Sequence, residues 1–317
     1  MNVWLNFLID SLAFGATFVY GSTGEILTEK AGHLNLGIPG IMCMGGAGGC
    51  LVLNMIGKSG LPGAVIVILG IMGALVMSMA CGLLYSFLTV TLRVNQNVTG
   101  LALTTFGSGL MKVIMSKLKA TVYLTGPKFF YRWPFADRQD SLHCLGILFF
   151  LAIAIAIAAG WVLMRTRVGL HLRAVGENPA TADAVGINVT RYKYLTTCIG
   201  SGIAGLGGFY YIIDYMASQE AYLSIEAFGW LSIALVIFAL WRPPVTIIGS
   251  FVFGVLFSCS SFITHFDWIR VTMANKPLLR MLPYVVTILV LIISSIRNKR
   301  ENQPPASLGL NYFREDR

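Results

Sequence analysis

LGILFFLAIAIAIAAGWVL, from Leu145 to Leu163, runs nineteen residues without a charged side chain. At 1.5 Å per residue, a helix of that length covers about 28 Å, close to the roughly 30 Å of bilayer hydrocarbon. A barrel strand would alternate apolar and polar side chains between lipid and lumen, and this run does not. A backbone inside lipid must satisfy its own hydrogen bonds, so the run predicts a membrane-crossing helix.

The rest of the chain repeats the pattern. Apolar runs separated by short polar breaks fall at approximately 3–22, 38–57, 62–92, 97–116, 142–164, 194–216, 227–241, 245–264 and 281–296. The third is long enough to tilt or overrun the bilayer. Over 317 residues, 56% are hydrophobic and 12% are charged, about half the roughly 25% charge usual for soluble domains. Too few charges remain for a polar shell, which excludes soluble enzymes and nucleic-acid binders. The expected fold is an all-α polytopic bundle of about nine to ten transmembrane helices. Residues 1–296 form one transmembrane domain with a cytoplasmic loop at 165–193, and 297–317 form a cytoplasmic tail.

The net charge of +9 reads as orientation. Lys112, Lys117, Lys119, Lys128, Arg132 and Arg138 flank one side of the fifth run, and Arg165, Arg167, Arg173, Arg191 and Lys193 flank the other. One span separates these groups, so they face opposite compartments. Arg297, Lys299 and Arg300 fall on the same side as the second group, and the positive-inside rule places that pair in the cytoplasm. Nine spans then put the N-terminus outside. The first run lacks a basic leader and a small-residue cleavage site, so no cleaved signal peptide is expected.

Thirty-four glycines concentrate within the apolar runs. Gly45 and Gly49, and again Gly200, Ala204 and Gly208, recur at four-residue spacing, which presents a small-residue face for close helix packing. Gly32, Gly37, Pro39 and Gly40 crowd around Asn35, where a helix is expected to break. The six cysteines, Cys43, Cys50, Cys81, Cys144, Cys198 and Cys259, form no CxxC pair and read as small buried hydrophobes.

No enzyme signature emerges. Gly57-Lys58-Ser59 resembles the end of a Walker A loop, but Val52 stands where its first glycine belongs. His33, His143, His171 and His265 are isolated from one another and from any nucleophile elbow. The polar stretch after Arg165 contains Asn178-Pro179, then Ala180, Ala182 and Ala184, then Gly186. This predicts a short helix with Pro in its first turn and Gly as its stop, a natural docking element for a soluble partner.

The segment RAVGENPATADAVGINVTRYK, residues 173–193, resembles the coupling loop of permeases from bacterial ABC importers of ribose, simple sugars, nucleosides and branched-chain amino acids. GEILTEKAGHLNLGIPGIMCMGGA (24–47), VNQNVTGLAL (94–103) and GWLSIALVIFALWRPP (229–244) resemble other parts of the same family, so the likeness spans nearly the whole chain. The ending PPASLGLNYFRED (304–316) is similar to that of the nucleoside-uptake branch. Two departures stand out: Pro39 replaces a common acidic residue, and nine spans fall short of the ten usual for the ribose type.

The resemblance implies a permease subunit in the bacterial inner membrane, paired with a second permease subunit. Two cytoplasmic ABC ATPase subunits would use the ATP, an extracellular or periplasmic substrate-binding protein would deliver solute, and this chain would bind no cofactor. Arg173, Glu177, Asn178, Pro179, Asp183 and Gly186 are the expected ATPase-coupling residues. Polar groups in spans are costly and tend to face protein or water, so Glu25, Asn35, Asn95, Asn97, Thr104 and Glu226 are candidates for the solute path. Other readings are open for several of these: Asn35 as a helix cap, Asn95 and Asn97 as the surface start of a span, and Glu226 as a helix N-terminal acid. A stand-alone carrier or channel using Glu25 or Glu226, or a simple-sugar permease, is the alternative.

Overall fold

A computed structural model describes residues 3–57, 59–118, 145–262, 281–297 and 303–313. The described elements are helices α1 (Val3–Lys30), α2 (Ile38–Ile56), α3 (Gly63–Ser86), α4 (Gln96–Lys117), α5 (Ile147–Arg165), α6 (Arg167–Glu177), α7 (Pro179–Ala184), α8 (Val189–Tyr210), α9 (Ile225–Phe238), α10 (Pro243–Phe262) and α11 (Leu282–Arg297). Wider π-helical turns extend α3 through Phe87–Thr91 and α8 through Tyr211–Met216, and a 3-10 turn at Gln219–Ser224 leads into α9. No strand occurs among the described residues.

The helix starts follow local chemistry. Asn95, Asn178 and Asn188 each precede a helix and accept amide hydrogens from its first turn, at 3.0 Å from Asn97, 3.0 Å from Thr181 and 2.9 Å from Arg191. Two ends use a left-handed residue with the same pair of closing bonds. At the end of α1, Gly32 has φ +74° while the Gly32 and His33 amides donate back to Glu29 and Thr28. At the end of α7, Gly186 has φ +87° while the Gly186 and Ile187 amides donate to Asp183 and Ala182.

Six described helices, including the extended α3 and α8, are long and apolar enough to cross a bilayer: 38–56, 63–91, 96–117, 147–165, 189–216 and 220–238. That is fewer than the nine to ten expected. The other three runs are helical but less plainly hydrophobic. The α1 helix carries Asp10, Glu25, Glu29 and Lys30, α10 has a shorter apolar stretch at Pro243–Cys259, and α11 has 16 residues.

The centre of the bundle is α8, packed against α1, α2 and α3. Small residues make this possible. A Cβ on Gly45 would lie 2.3 Å from the Cα and carbonyl oxygen of Gly205, so the α2 and α8 backbones touch. Cys43, Cys50, Cys81 and Cys198 are buried free thiols, as expected, whereas the free thiol of Cys259 is only half-buried. Cys144, His143, His265 and the loop basics Lys119, Lys128, Arg132 and Arg138 lie outside the described residues, as do Lys58, Lys299 and Arg300.

The two polar ends separate cleanly. At one end, the terminus of α1 meets α6, where a Cβ on Gly176 would be 2.2 Å from the Lys30 carbonyl, and Ser307 donates its amide to the Gly176 carbonyl at 3.0 Å. The start of α4 joins them there, because the Gln96 side-chain amide lies 3.3 Å from the Leu310 carbonyl. Helix α4 then carries its 22 residues about 33 Å away from that end. At the opposite end, Phe7 of α1 stacks on Phe262 of α10, and Tyr215 donates to Asp10 at 2.9 Å. The 165–193 loop and the tail therefore share one face, and the residues after Lys117 leave from the other.

Candidate functional site

Residues 31–37 interrupt the bundle between α1 and α2, and His33 and Asn35 are fully buried. Irregular backbone at such depth needs side chains to replace the missing helical bonds. Each comes from a different element. The Asn35 amide donates to Glu25 Oε1 at 3.1 Å, and the Leu34 amide donates to Gln96 Oε1 at 2.8 Å. The Leu34 carbonyl accepts the Tyr85 hydroxyl, and the Leu36 carbonyl accepts the Thr104 hydroxyl at 2.9 Å. Asn35 Oδ1 accepts the Gly37 amide at 2.9 Å, which is the capping role open to it.

His33 closes this knot. Thr89 gives its one hydroxyl hydrogen to the Tyr85 carbonyl at 2.7 Å, so it must accept from His33 Nε2, also at 2.7 Å. Nδ1 pairs with the Thr197 hydroxyl at 2.9 Å, and in the neutral imidazole with its proton on Nε2 it accepts from that hydroxyl. One turn from Glu25, the buried Glu29 accepts the indole N–H of Trp241. The three side chains His33, Gln96 and Trp241 were not singled out as site residues. The usable signal was a histidine and a glutamine flanked by apolar runs whose threonines could pair with them.

Of the six path candidates, Glu25, Asn35 and Thr104 come together at this interruption, all buried. Asn95 and Asn97 are exposed at the start of α4, where Asn95 caps the helix. Glu226 stands apart, half-buried in the first turn of α9 near the opposite end.

The coupling candidates form a second constellation on the shared face. Helices α6 and α7 meet at Asn178, which caps α7 and precedes Pro179, so the turn between them has a fixed start. Glu177, Asn178 and Gly186 are exposed, while Arg173, Pro179 and Asp183 are half-buried. The tail crosses beneath them. Ser307 bonds the Gly176 carbonyl at 2.5 Å, Tyr312 donates to Asp183 Oδ2 at 2.9 Å, and the Asn311 amide donates to the Arg93 carbonyl at 2.8 Å. Arg93 in turn lies 4.6 Å from the centroid of the Phe313 ring. The alpha-helical coupling segment, the end of α1 and the tail thus form one bonded unit.

Comparison with known proteins agrees with this architecture. The family described as branched-chain amino acid transport system / permease component matches residues 7–291. TsgC13 of Haloferax volcanii, a candidate glucose ABC transporter permease, is 30% identical, covering 97% of this chain and 98% of its own length. The nucleoside ABC transporter permease NupC of Lactococcus lactis is 28% identical over 96% of both chains. The guanosine ABC transporter permease NupQ of Bacillus subtilis is 27% identical over 89% of both. The chain belongs to the branched-chain amino acid transport system permease family, as a transport subunit of the ABC type.

Proposed function

We propose that this chain is one of two permease subunits of an ATP-driven importer of nucleosides in a bacterial inner membrane. The observation that carries the transport class is the bonded unit of α1, α6, α7 and tail, which offers a docking element whose displacement must move a span. NupC and NupQ, similar along most of their lengths, support the solute class. In this reading α1 to α5 and α8 to α11 make nine crossings, the N-terminus is external, and the face bearing α6, α7 and the tail is cytoplasmic. Two cytoplasmic ATPases power the pair of permease subunits, one docking on this chain at Arg173, Glu177, Asn178, Pro179, Asp183 and Gly186, and a substrate-binding protein delivers solute from outside. This chain needs no cofactor of its own.

ATPase closure would press on α7, and α6 would pass the movement to α1 through Gly176. Among the path candidates, Glu226 and Asn97 would meet solute near the two ends, with Asn95 beside Asn97 capping α4. Glu25, Asn35 and Thr104 hold the interrupted segment and act on the path through its shape. The similarity to TsgC13 favours a second reading, a simple-sugar solute.

Uptake of labelled guanosine, adenosine, ribose and glucose by cells with and without the gene decides between the two. Nucleoside uptake is expected to fall on deletion. Loss of sugar uptake with nucleoside uptake intact transfers the assignment to a sugar. Purified chain that moves solute into liposomes without an ATPase would overturn the ABC reading in favour of a self-sufficient carrier.

A further inference from the structure

A cavity of about 710 Å³ opens on the coupling face, between the π-helical end of α3, the start of α8 and the tail. Asp183 and Gly186 of the proposed docking segment form part of its rim, and its wall is strongly cationic. Arg93, Arg191 and Lys193 line it with a single carboxylate, Asp183, which leaves an excess of two positive charges. Asp183 already accepts the Tyr312 hydroxyl at 2.9 Å.

Lys193 is the informative member. It is only 3% exposed, and among the described residues its ammonium has no hydrogen-bond or ion-pair partner. A nearly enclosed ammonium that meets water through this cavity, with no counter-charge among the described residues, favours an anion there. His33, at the back wall, cannot serve, since both ring nitrogens are engaged by Thr89 and Thr197.

The start of α8 points the same way. Asn188 caps the helix by accepting the Arg191 amide, while Val189 and Thr190 also line the cavity. First-turn amides have no intrahelical acceptor, and they lie at the positive end of the helix dipole. Two guanidinium groups, one ammonium and a helix N-terminus around one cavity are the donors that a phosphate group accepts from.

We propose that this cavity binds a phosphate-bearing anion, held by Lys193 and the first turn of α8 and closed over by Arg93 and Arg191. Its surroundings favour a lipid source. An apolar groove of about 320 Å³ runs between α3 and α4, lined by Leu84, Leu88, Val94, Val98 and Phe106. Leu88 and Val94 are the immediate sequence neighbours of the cavity residues Thr89 and Arg93, so a headgroup in the cavity would have an acyl chain's path beside it.

The test uses the full chain, purified in detergent and stripped of lipid. Phosphatidylglycerol and phosphatidylcholine adducts are counted by native mass spectrometry, and inorganic phosphate is compared with chloride by thermal unfolding at equal ionic strength. The wild-type chain is expected to retain phosphatidylglycerol ~10-fold over phosphatidylcholine, as loss of one charge-assisted contact would predict, and Lys193→Met to abolish the preference. A phosphate-induced rise in melting temperature that Lys193→Met removes, without any lipid preference, would identify a soluble phosphate-bearing ligand instead. Should Lys193→Met fail to fold, the exposed Arg93→Gln/Arg191→Gln pair decides, with a several-fold loss expected. Phosphatidylglycerol and phosphate responses that are absent, or unchanged by these substitutions, overturn the proposal.

Discussion

Tyr312 donates its phenolic hydrogen to Asp183 Oδ2 at 2.9 Å, joining the tail to the last turn of α7 across 129 residues of sequence. The acceptor is a carboxylate, so the bond stabilises the contact by about 1.5 to 3 kcal/mol. Tyr312→Phe removes it and keeps the ring. Amides in α7 and in residues 303–313 are expected to exchange with solvent roughly tenfold faster, while insertion stays normal. Exchange unchanged throughout both segments would mean that the tail is held by its other contacts, at Ser307, Leu310, Asn311 and Phe313.

Gly45 faces the Gly205 backbone with no room for a methyl group, since the added Cβ would sit 2.3 Å from backbone atoms that no rotamer can move. Gly45→Val therefore has to push α2 away from α8. Overpacking of this kind costs about 1 to 3 kcal/mol or more, and here it falls at the central helix. Folded protein recovered in detergent should drop several-fold. Gly109→Ala provides the control, because nothing lies within 4 Å of its Cβ position. Equal recovery of the two variants would refute the close approach.

The ease of reading the two parts of the molecule differed for physical reasons. Long apolar runs mark spans directly, and the nine runs fall on helices with boundaries shifted by a few residues, most at α1, which continues to Lys30. Its last turns are polar because they serve buried partners and not lipid, a distinction that composition does not carry. Asn178-Pro179 was legible because capping is local, and Gly186 because a left-handed stop favours glycine. The interruption at 31–37 was legible from its Gly and Pro content, but its partners were not. Gln96, Tyr85, Thr89 and Thr197 reach it from three other helices, and only tertiary packing sets those pairings.

Glu25 and Thr104 allow a backbone role to be separated from a solute role. Glu25→Gln keeps an oxygen for the Asn35 amide, whereas Glu25→Leu and Thr104→Val strand a buried amide or carbonyl at a cost of about 1 to 3 kcal/mol each. Thermal unfolding in detergent should therefore show Glu25→Gln near wild type and the other two clearly lowered. Uptake should follow the same order. Folded Glu25→Gln protein with no uptake would give Glu25 a direct part in handling solute or protons.

Orientation follows from the separation of the two ends. Ser116, near the end of α4, and Thr181, in α7, are both exposed and lie at opposite faces. In a variant lacking the native cysteines, Ser116→Cys should react with a membrane-impermeant thiol reagent in intact cells, and Thr181→Cys only after lysis. The reverse pattern would place α6, α7 and the tail outside and remove the proposed ATPase contact.

The coupling segment gives the sharpest separation between an ATPase-driven permease and a self-sufficient carrier. Glu177 is exposed beside the capping Asn178, and Pro179 supplies the fixed φ that starts α7. Glu177→Arg reverses a charge on the docking face without touching the bundle. Pro179→Gly leaves the Asn178 cap in place but adds backbone freedom at the first helical position, which loosens the angle between α6 and α7 by entropy alone. Glu177 is exposed and Pro179 half-buried on the polar face, outside the apolar core of the bundle, so both variants should insert and fold. In the reconstituted complex, transport should fall at least tenfold, and ATP hydrolysis should fall with it or stop responding to solute. Binding measurements add the discriminating readout: the ATPases should dissociate from Glu177→Arg more readily, and an ATPase variant with a compensating basic-to-acidic change should restore them. Wild-type transport by both variants would show that force enters the spans elsewhere, and it would leave the tail-bound α6–α7 unit as a connector between α5 and α8.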